Sequence, residues 1–228
     1  PALRGPFHAG LDSWRLMRMV AGGTRGIKWG RYVMQPPKVE RAAEDRRKAI
    51  QHTMTLGFSS DPVARWLWPD SHVYLTHFSR FAGAFGGNSF ECETVFETDC
   101  RGAAAMWLPP GETSNGDVIE EILGATIAED RMEEIGEFFG KIDEFHPHHD
   151  HYYLAIIAAD PAMTGRGLGA ALMKNALAMV DEKGLPAYLE SSNPRNISLY
   201  ERHGFEIMGE IQVGSSPVMT PMYRQARV

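Results

Sequence analysis

The sequence predicts an α/β (α+β) fold, and two observations carry that class. The C-terminal third runs in the order strand, glycine turn, helix, strand, helix, strand, strand. Upstream of it, short β-like segments alternate with amphipathic stretches bounded by Pro, Gly, Asp and Asn, the punctuation that separates sheet from helix.

Taken in order, the chain changes texture after Pro36-Pro37. Residues 39–56 read as a helix, charged at Glu40, Arg41, Glu44 and Lys48, with Val39, Ala42, Ala43, Ile50 and Met54 on an apolar side and Gly57 as the stop. Asp61-Pro62 then opens a second helix, Asp61 at the N-cap and Pro62 in the first turn, through Val63, Trp66 and Leu67 to Pro69-Asp70. Residues 72–86 are a helix rich in aromatics, ended by Gly86-Gly87. Phe90–Thr98 alternates as a strand, and Ala103–Leu108 is a second one, stopped by Pro109-Pro110-Gly111. One or two amphipathic helices fill Val118–Phe145.

Tyr152–Ala159 is a buried strand ended by Asp160-Pro161. After a glycine turn at 164–169, a helix places Leu168, Leu172, Ala176 and Met179 on one face and ends at Gly184. Leu185–Glu190 is a strand, Asn193-Pro194 starts a short helix that stops at His203-Gly204, and Phe205–Val213 and Val218–Arg224 close the sheet.

Composition narrows the function classes. With 228 residues, 43% of them hydrophobic and 23% charged, the chain can bury a sizeable core. The longest apolar run, Tyr152–Ala159, is too short to span a bilayer as a helix, so no membrane partner is expected. Two cysteines make no disulfide scaffold, and the expected compartment is reduced and cytoplasmic. If Cys92 and Cys100 share one strand, they lie roughly 26 Å apart at about 3.3 Å per residue, beyond bridging distance. The net charge of −6 argues against a nucleic-acid partner. It is uneven: residues 1–38 carry seven basic side chains and one acid, leaving −12 on the remainder. That divides the chain into a basic segment, 1–38, of unassigned role (a surface arm or an import segment) and a domain over 39–228.

The glycine turn is the informative motif. A strand feeding glycines and then a helix puts free backbone N–H groups at a helix N-terminus, where phosphate binds; Arg166 adds a cation. The plain alternative is a tight connection that needs positive φ. Glycines at 165, 167 and 169 give G-x-G-x-G, which departs from the dinucleotide pattern G-x-G-x-x-G, although Glu190 sits at the distance of its ribose-binding acid. No Walker Lys-Ser/Thr follows.

The stretch Ala159–Gly169 resembles the acetyl-CoA-binding segment of the GNAT N-acetyltransferases, whose signature is Gln/Arg-x-x-Gly-x-Gly/Ala. Asn193 followed seven residues on by Tyr200, in Leu199-Tyr200-Glu201-x-x-Gly204-Phe205, is similar to that family's second motif. Tyr188–Ser192, Met219–Arg224, Ala104–Gly111 and Asp61–Asp70 resemble the puromycin N-acetyltransferase-like branch. The likeness spans roughly residues 39–224 and departs at Thr164, where the family has Gln or Arg.

The resemblance implies a central mixed, mostly antiparallel sheet whose middle strands, Tyr152–Ala159 and Leu185–Glu190, splay apart around acetyl-CoA. Main-chain groups of Ile157, Ala158 and Ala159 would pair with the pantetheine amides as with a peptide strand. The pyrophosphate would lie on Thr164, Gly165, Arg166, Gly167, Leu168, Gly169 and Ala170. The implied reaction is direct attack of a neutral primary amine, on a small molecule, with an oxyanion-stabilising N–H near Ile157 or Ala158. Tyr200 would protonate the leaving thiolate, since a phenol of pKa about 10 keeps its proton at neutral pH.

Several assignments have two readings. Tyr200 is the general acid or a packed core tyrosine. Asn193 is a helix cap or a pantetheine ligand, with Asn196 as a second cofactor contact. Glu190 is the base or an ordinary buried acid. The run His146–His151 is a solvated loop, a source of the base or of acceptor contacts through His149 or His151, or a metal site of His148, His149, Asp150 and His151 that the family does not need. Trp66, Trp68, Tyr74, Phe81 and Phe85 divide between core and acceptor pocket. The alternatives to a small-molecule enzyme are a protein or peptide N-acetyltransferase and a non-catalytic acyl-CoA sensor.

Overall fold

The structure, a computed structural model, describes residues 37–227. All but the last two residues of the basic segment therefore lie outside the described residues. The described chain folds as a seven-stranded sheet flanked by helices, the α/β class expected. The strands are β1 (Val39–Arg41), β2 (Val95–Thr98), β3 (Ala103–Leu108), β4 (Tyr152–Ala159), β5 (Ala187–Ser191), β6 (Glu206–Ile207) and β7 (Thr220–Arg224), in the spatial order β1-β2-β3-β4-β5-β7-β6. Only the β4–β5 pair is parallel; the other pairs are antiparallel.

Helix α1 (Arg47–Gly57) ends at the glycine expected to stop it. Its start is a correction: Val39–Arg41 is a strand, registered on β2 from Val39 opposite Thr98 to Arg41 opposite Phe96. Two of its three residues are exposed, so their charges sit at a solvated sheet edge. Helices α2 (Pro62–Leu67) and α3 (Ser71–Phe85) are capped as their sequences require. Asp61 accepts from Val63 and Ala64 N–H, and Asp70 accepts from Val73 N–H. Residues 118–145 form two helices, α4 (Gly116–Thr126) and α5 (Met132–Phe145). The strand expected from Phe90 begins only at Val95, because 90–93 is a turn in which Glu93 adopts φ 55°. Cys92 and Cys100 thus lie in turns on either side of β2 instead of along one strand, and both are free thiols. Helices α6 (Leu168–Glu182) and α7 (Ile197–Arg202) follow β4 and β5. The long strand expected over 205–213 reduces to β6 and a single bridge from Ile211 to Met219.

The middle of the sheet is buried on both faces. Along β3, Ala104 and Met106 pack under α1–α5, while Ala103, Ala105 and Trp107 pack under α6. In β4 this alternation breaks. Tyr152 and Leu154 face the α6 core, yet Ile156 and Ala158 face the other one. The register gives the cause: Met106 opposes Ile156 and Trp107 opposes Leu154, leaving Ala155 as a bulge. One extra residue inverts every side chain after it and bends the strand.

The bulge sits where the sheet opens. β4 and β5 pair only at Tyr152–Ala187 and Tyr153–Tyr188. Beyond that point β4 stays with β3 as far as Ala159, and β5 stays with β7 as far as Ser191. The result is a V between two central strands, closed at the Tyr152 end.

Candidate active site

The open edge of β4 forms one wall of the V. Asp160 N–H bonds to Gly102 carbonyl across the β3 side. Alternation then turns the main-chain groups of Ile157 and Ala159 toward the gap and those of Ala158 toward β3. Two of the three expected main-chain partners therefore present free donors and acceptors to the V.

At the mouth of the V lies the glycine turn. Asp160 Oδ1 accepts from Ala162 N–H at 2.8 Å, and the Thr164 hydroxyl donates to Pro161 carbonyl at 3.1 Å, so the Thr164 side chain is used within the turn. Gly165 and Gly167 hold φ of 75° and 77°, a region where a Cβ is strained. Side chains cap α2, α3 and α4 (Asp61, Asp70 and Asn115). The residue before α6 is Gly167, which has no side chain to offer. The first N–H groups of α6, from Leu168, Gly169 and Ala170, are left at the positive end of its dipole. Arg166 is exposed beside them, and Leu168 sends its side chain into the core.

The other wall carries the second motif. Asn193 Oδ1 accepts from Arg195 N–H at 3.1 Å, the capping geometry. Asn196 is exposed yet lines the cavity between the strands. Tyr200 reaches the same cavity from α7 and is 4% exposed. Burial, and then the negative charge of Asp61, hold its phenol well above the usual tyrosine range.

That cavity has a volume of about 90 Å³. Phe58, Phe78, Phe81, Phe85, Phe138 and Phe139 line its N-terminal side. Among the aromatics singled out by sequence, Phe81 and Phe85 are on the wall. Trp68 and Tyr74 are core residues, and Trp66 packs on Phe138 and donates to Ser215.

Two carboxylates line the same cavity. Glu190 has a side chain 4% exposed; its Oε2 accepts from Tyr153 hydroxyl at 2.7 Å, and its Oε1 has no hydrogen-bond partner among the described residues. Asp61, legible in the sequence only as a cap, is 6% exposed. Its Oδ1 caps α2 and its Oδ2 accepts from Ser192 hydroxyl at 2.7 Å. Burial raises its carboxyl above the usual range, against the pull of those hydrogen bonds. The histidine run is not a solvated tract throughout: His149 Nε2 lies 2.9 Å from Tyr223 hydroxyl, and His146 packs edge-on against Tyr153 and Tyr188. The described residues hold no group of three or more His, Cys, Asp or Glu side chains arranged for a metal. No helix among them is long and apolar enough to cross a membrane.

Known proteins share this fold. The acetyltransferase (GNAT) family model matches residues 93–205, which run from before β2 to just past α7. The Corynebacterium glutamicum structure described as histone acetyltransferase HPA2 and related acetyltransferase aligns with a TM-score of 0.59 at 21% identity, over 85% of this chain and 98% of that one. Arylalkylamine N-acetyltransferase 2 from Aedes aegypti gives 0.60 at 11% identity, over 85% and 100%. An agmatine N-acetyltransferase gives 0.53 at 12%, over 83% and 98%. At these identities the structural likeness is one of fold. Joined to the family match across the strands and helices that build the V, it identifies the chain as an acyltransferase, an acetyltransferase of the GNAT family.

Proposed function

We propose that the protein transfers an acetyl group from acetyl-CoA to the primary amine of a small molecule with an apolar, ring-sized body. One observation carries this reading: the V between β4 and β5 opens into a phenylalanine-walled cavity that also holds Tyr200, Glu190 and Asp61. The aromatic wall supplies burial for the body of the acceptor. The two carboxylates supply the negative charge that draws in an ammonium. A protein substrate would need an open groove; this cavity is lined from α2, α3, α5 and α7 as well as from β4 and β5. Known arylalkylamine and agmatine acetyltransferases share the fold, which supports an amine acceptor. The likeness of Asp61–Asp70 and Ala104–Gly111 to the puromycin N-acetyltransferase-like branch belongs to the same proposal.

Ile157 and Ala159 pair with the pantetheine amides, and an N–H of β4 near the Ala155 bulge stabilises the oxyanion. The N-terminus of α6 and Arg166 hold the pyrophosphate, with Asn193 and Asn196 on the opposite wall. Acetyl-CoA supplies the thioester carbon. Glu190 takes one proton from the ammonium. The neutral nitrogen then attacks, the C–N bond forms and the C–S bond breaks. Tyr200 gives its proton to the departing sulfur and is restored by the second proton of the new amide nitrogen. A phenol held above its usual pKa is a weaker acid, but it is protonated at every working pH.

The test is thiol release from acetyl-CoA across a panel of arylalkylamines, alkylamines, agmatine and a lysine peptide, with wild type and Tyr200→Phe. The expectation is turnover of arylalkylamines above the other classes, and a loss of roughly 10²-fold or more in kcat for Y200F at unchanged acetyl-CoA KM. Unchanged turnover in Y200F removes the general acid. Binding of acetyl-CoA without turnover of any amine would mark a sensor instead.

A further inference from the structure

The proposed base and the thioester belong to different strands. Acetyl-CoA would lie along β4, while Glu190 stands on β5, and backbone pairing between the two ends at Tyr152–Ala187 and Tyr153–Tyr188. Past that point no ladder fixes the gap between donor and base. One side chain crosses it: Tyr153 on β4 donates its hydroxyl to Glu190 Oε2 at 2.7 Å, two residues beyond its own backbone partner Tyr188.

Tyr153 is held on every side. Its backbone pairs with Leu108 of β3 and with Tyr188 of β5. Its ring stacks on Tyr188 at 6.0 Å between centroids and meets His146 edge-on at 4.9 Å. Burial, and then the negative charge of Glu190, hold its phenol well above the usual tyrosine range, so it keeps the hydrogen it donates. Glu190 has other groups to turn to. Its Oε1 has no hydrogen-bond partner among the described residues and lies 3.7 Å from His146 Nδ1. The Tyr188 hydroxyl is buried and likewise without a partner among them. Burial and then the Glu190 charge raise that phenol too, which marks the two as neighbours. Tyr153 and Glu190 line the cavity, whereas Tyr188 and His146 are not part of its lining. A buried acceptor without a donor is costly, so a carboxylate between two sets of polar groups turns toward the one that binds it. The Tyr153 hydroxyl decides that choice in favour of the cavity.

We propose that Tyr153 is a positioning residue of the active site: its hydroxyl holds the Glu190 carboxylate toward the acceptor nitrogen, at a fixed distance from the thioester on β4. The proposal rests on Glu190 acting as the base. Tyr153 transfers no proton; its hydroxyl keeps its hydrogen throughout, and the proton of the ammonium goes to Glu190. What it supplies is geometry, to which the rate is steeply sensitive, since a displacement of about 1 Å costs up to about 10²-fold.

Tyr153→Phe removes one oxygen atom and tests it. The expectation is a fall in kcat of about 10-fold to 100-fold, with the acetyl-CoA KM unchanged. Glu190→Gln alone should lose about 10²-fold or more. The double variant Y153F/E190Q should be no slower than E190Q, because a phenol that acts through the carboxylate has nothing left to position. Lost packing would instead slow both backgrounds alike. The crystal structure of Y153F reads the same point without turnover: the Glu190 carboxylate should turn out of the cavity toward the Tyr188 hydroxyl. If Y153F does not fold, Tyr153→Met carries the same expectations. A Y153F as fast as wild type, an equal loss in both backgrounds, or a Glu190 carboxylate still in its wild-type place overturns the positioning role. An E190Q as fast as wild type overturns the base, and the role of Tyr153 with it. A wild type that turns over no amine overturns the proposed function instead, and the crystal structure of Y153F still decides whether Tyr153 holds the carboxylate.

Discussion

Asp61 is a residue whose local role conceals a second one. As a cap its Oδ1 satisfies two N–H groups of α2, and nothing in the sequence asks more of it. In the fold its Oδ2 takes the Ser192 hydroxyl, which ties the N-terminal helices to the residue after β5. Burial raises the carboxyl above its unfolded value, so the native state binds more protons than the unfolded state between those two values. Stability therefore falls as pH rises through that window, and the ionised form is a net cost above it. Asp61→Asn keeps an acceptor for the cap and removes the charge. Urea unfolding should show the variant at least as stable as wild type at pH 7, with its advantage shrinking as the pH drops toward about 4. Its amine KM should rise, since one of the cavity's two carboxylates has gone. A variant less stable than wild type at pH 7 would mean that the ionised Asp61 stabilises the fold.

Two elements meet closely where α1 ends on β4. A Cβ at Gly57 would lie 2.6 Å from Ala158 Cβ and 3.0 Å from Ala159 carbonyl oxygen. In an open helix Gly→Ala gains about 1 kcal/mol, whereas overpacking against backbone costs about 1–3 kcal/mol. Gly57→Ala should therefore lower stability by about 1 kcal/mol in urea unfolding. It should also raise the acetyl-CoA KM several-fold, because β4 must give way at the edge proposed to pair with pantetheine. Unchanged values of both would mean that α1 yields instead of β4. The same strand shows what sequence could convey. Tyr152–Ala159 is a strand on its own apolar run, and Asp61-Pro62, Asn193-Pro194 and Gly184 mark helix ends by local chemistry, so these were legible. Val39–Arg41 was not, because a three-residue edge strand is selected by its pairing with β2 and its charges fit a helix equally well. The bulge at Ala155 was hidden for the same reason: only the register on β3 makes that alanine the extra residue. Tyr200 was named through a motif. The Glu190–Tyr153–His146 group joins two strands and a helix end, and no spacing in the chain encodes it.

At the scale of the molecule, the sheet of the described residues opens between β4 and β5, and the proposed function depends on what fills that opening. Ile157 and Ala159 turn unpaired main-chain groups into the V, and buried backbone groups without partners are costly. Tyr152, at the closed end, already donates to Pro186 carbonyl. In the proposed function a ligand with two amides on a flexible chain would complete the strand edge, and its anionic end would meet the capless start of α6. Such a ligand binds the folded state alone, so at 100 times its Kd it should raise the unfolding free energy by about 2.7 kcal/mol. Hydrogen exchange gives that gain an address. With CoA bound, the Ile157 and Ala159 amides and the first amides of α6 should slow markedly, while the Tyr152 amide, paired in both states, should change only by the global gain. NAD(H) at the same concentration should do neither, since the G-x-G-x-G turn departs from a dinucleotide fingerprint. Uniform slowing with no excess at Ile157 and Ala159 would show that CoA stabilises the fold from elsewhere, and the V would lose its role as the donor site.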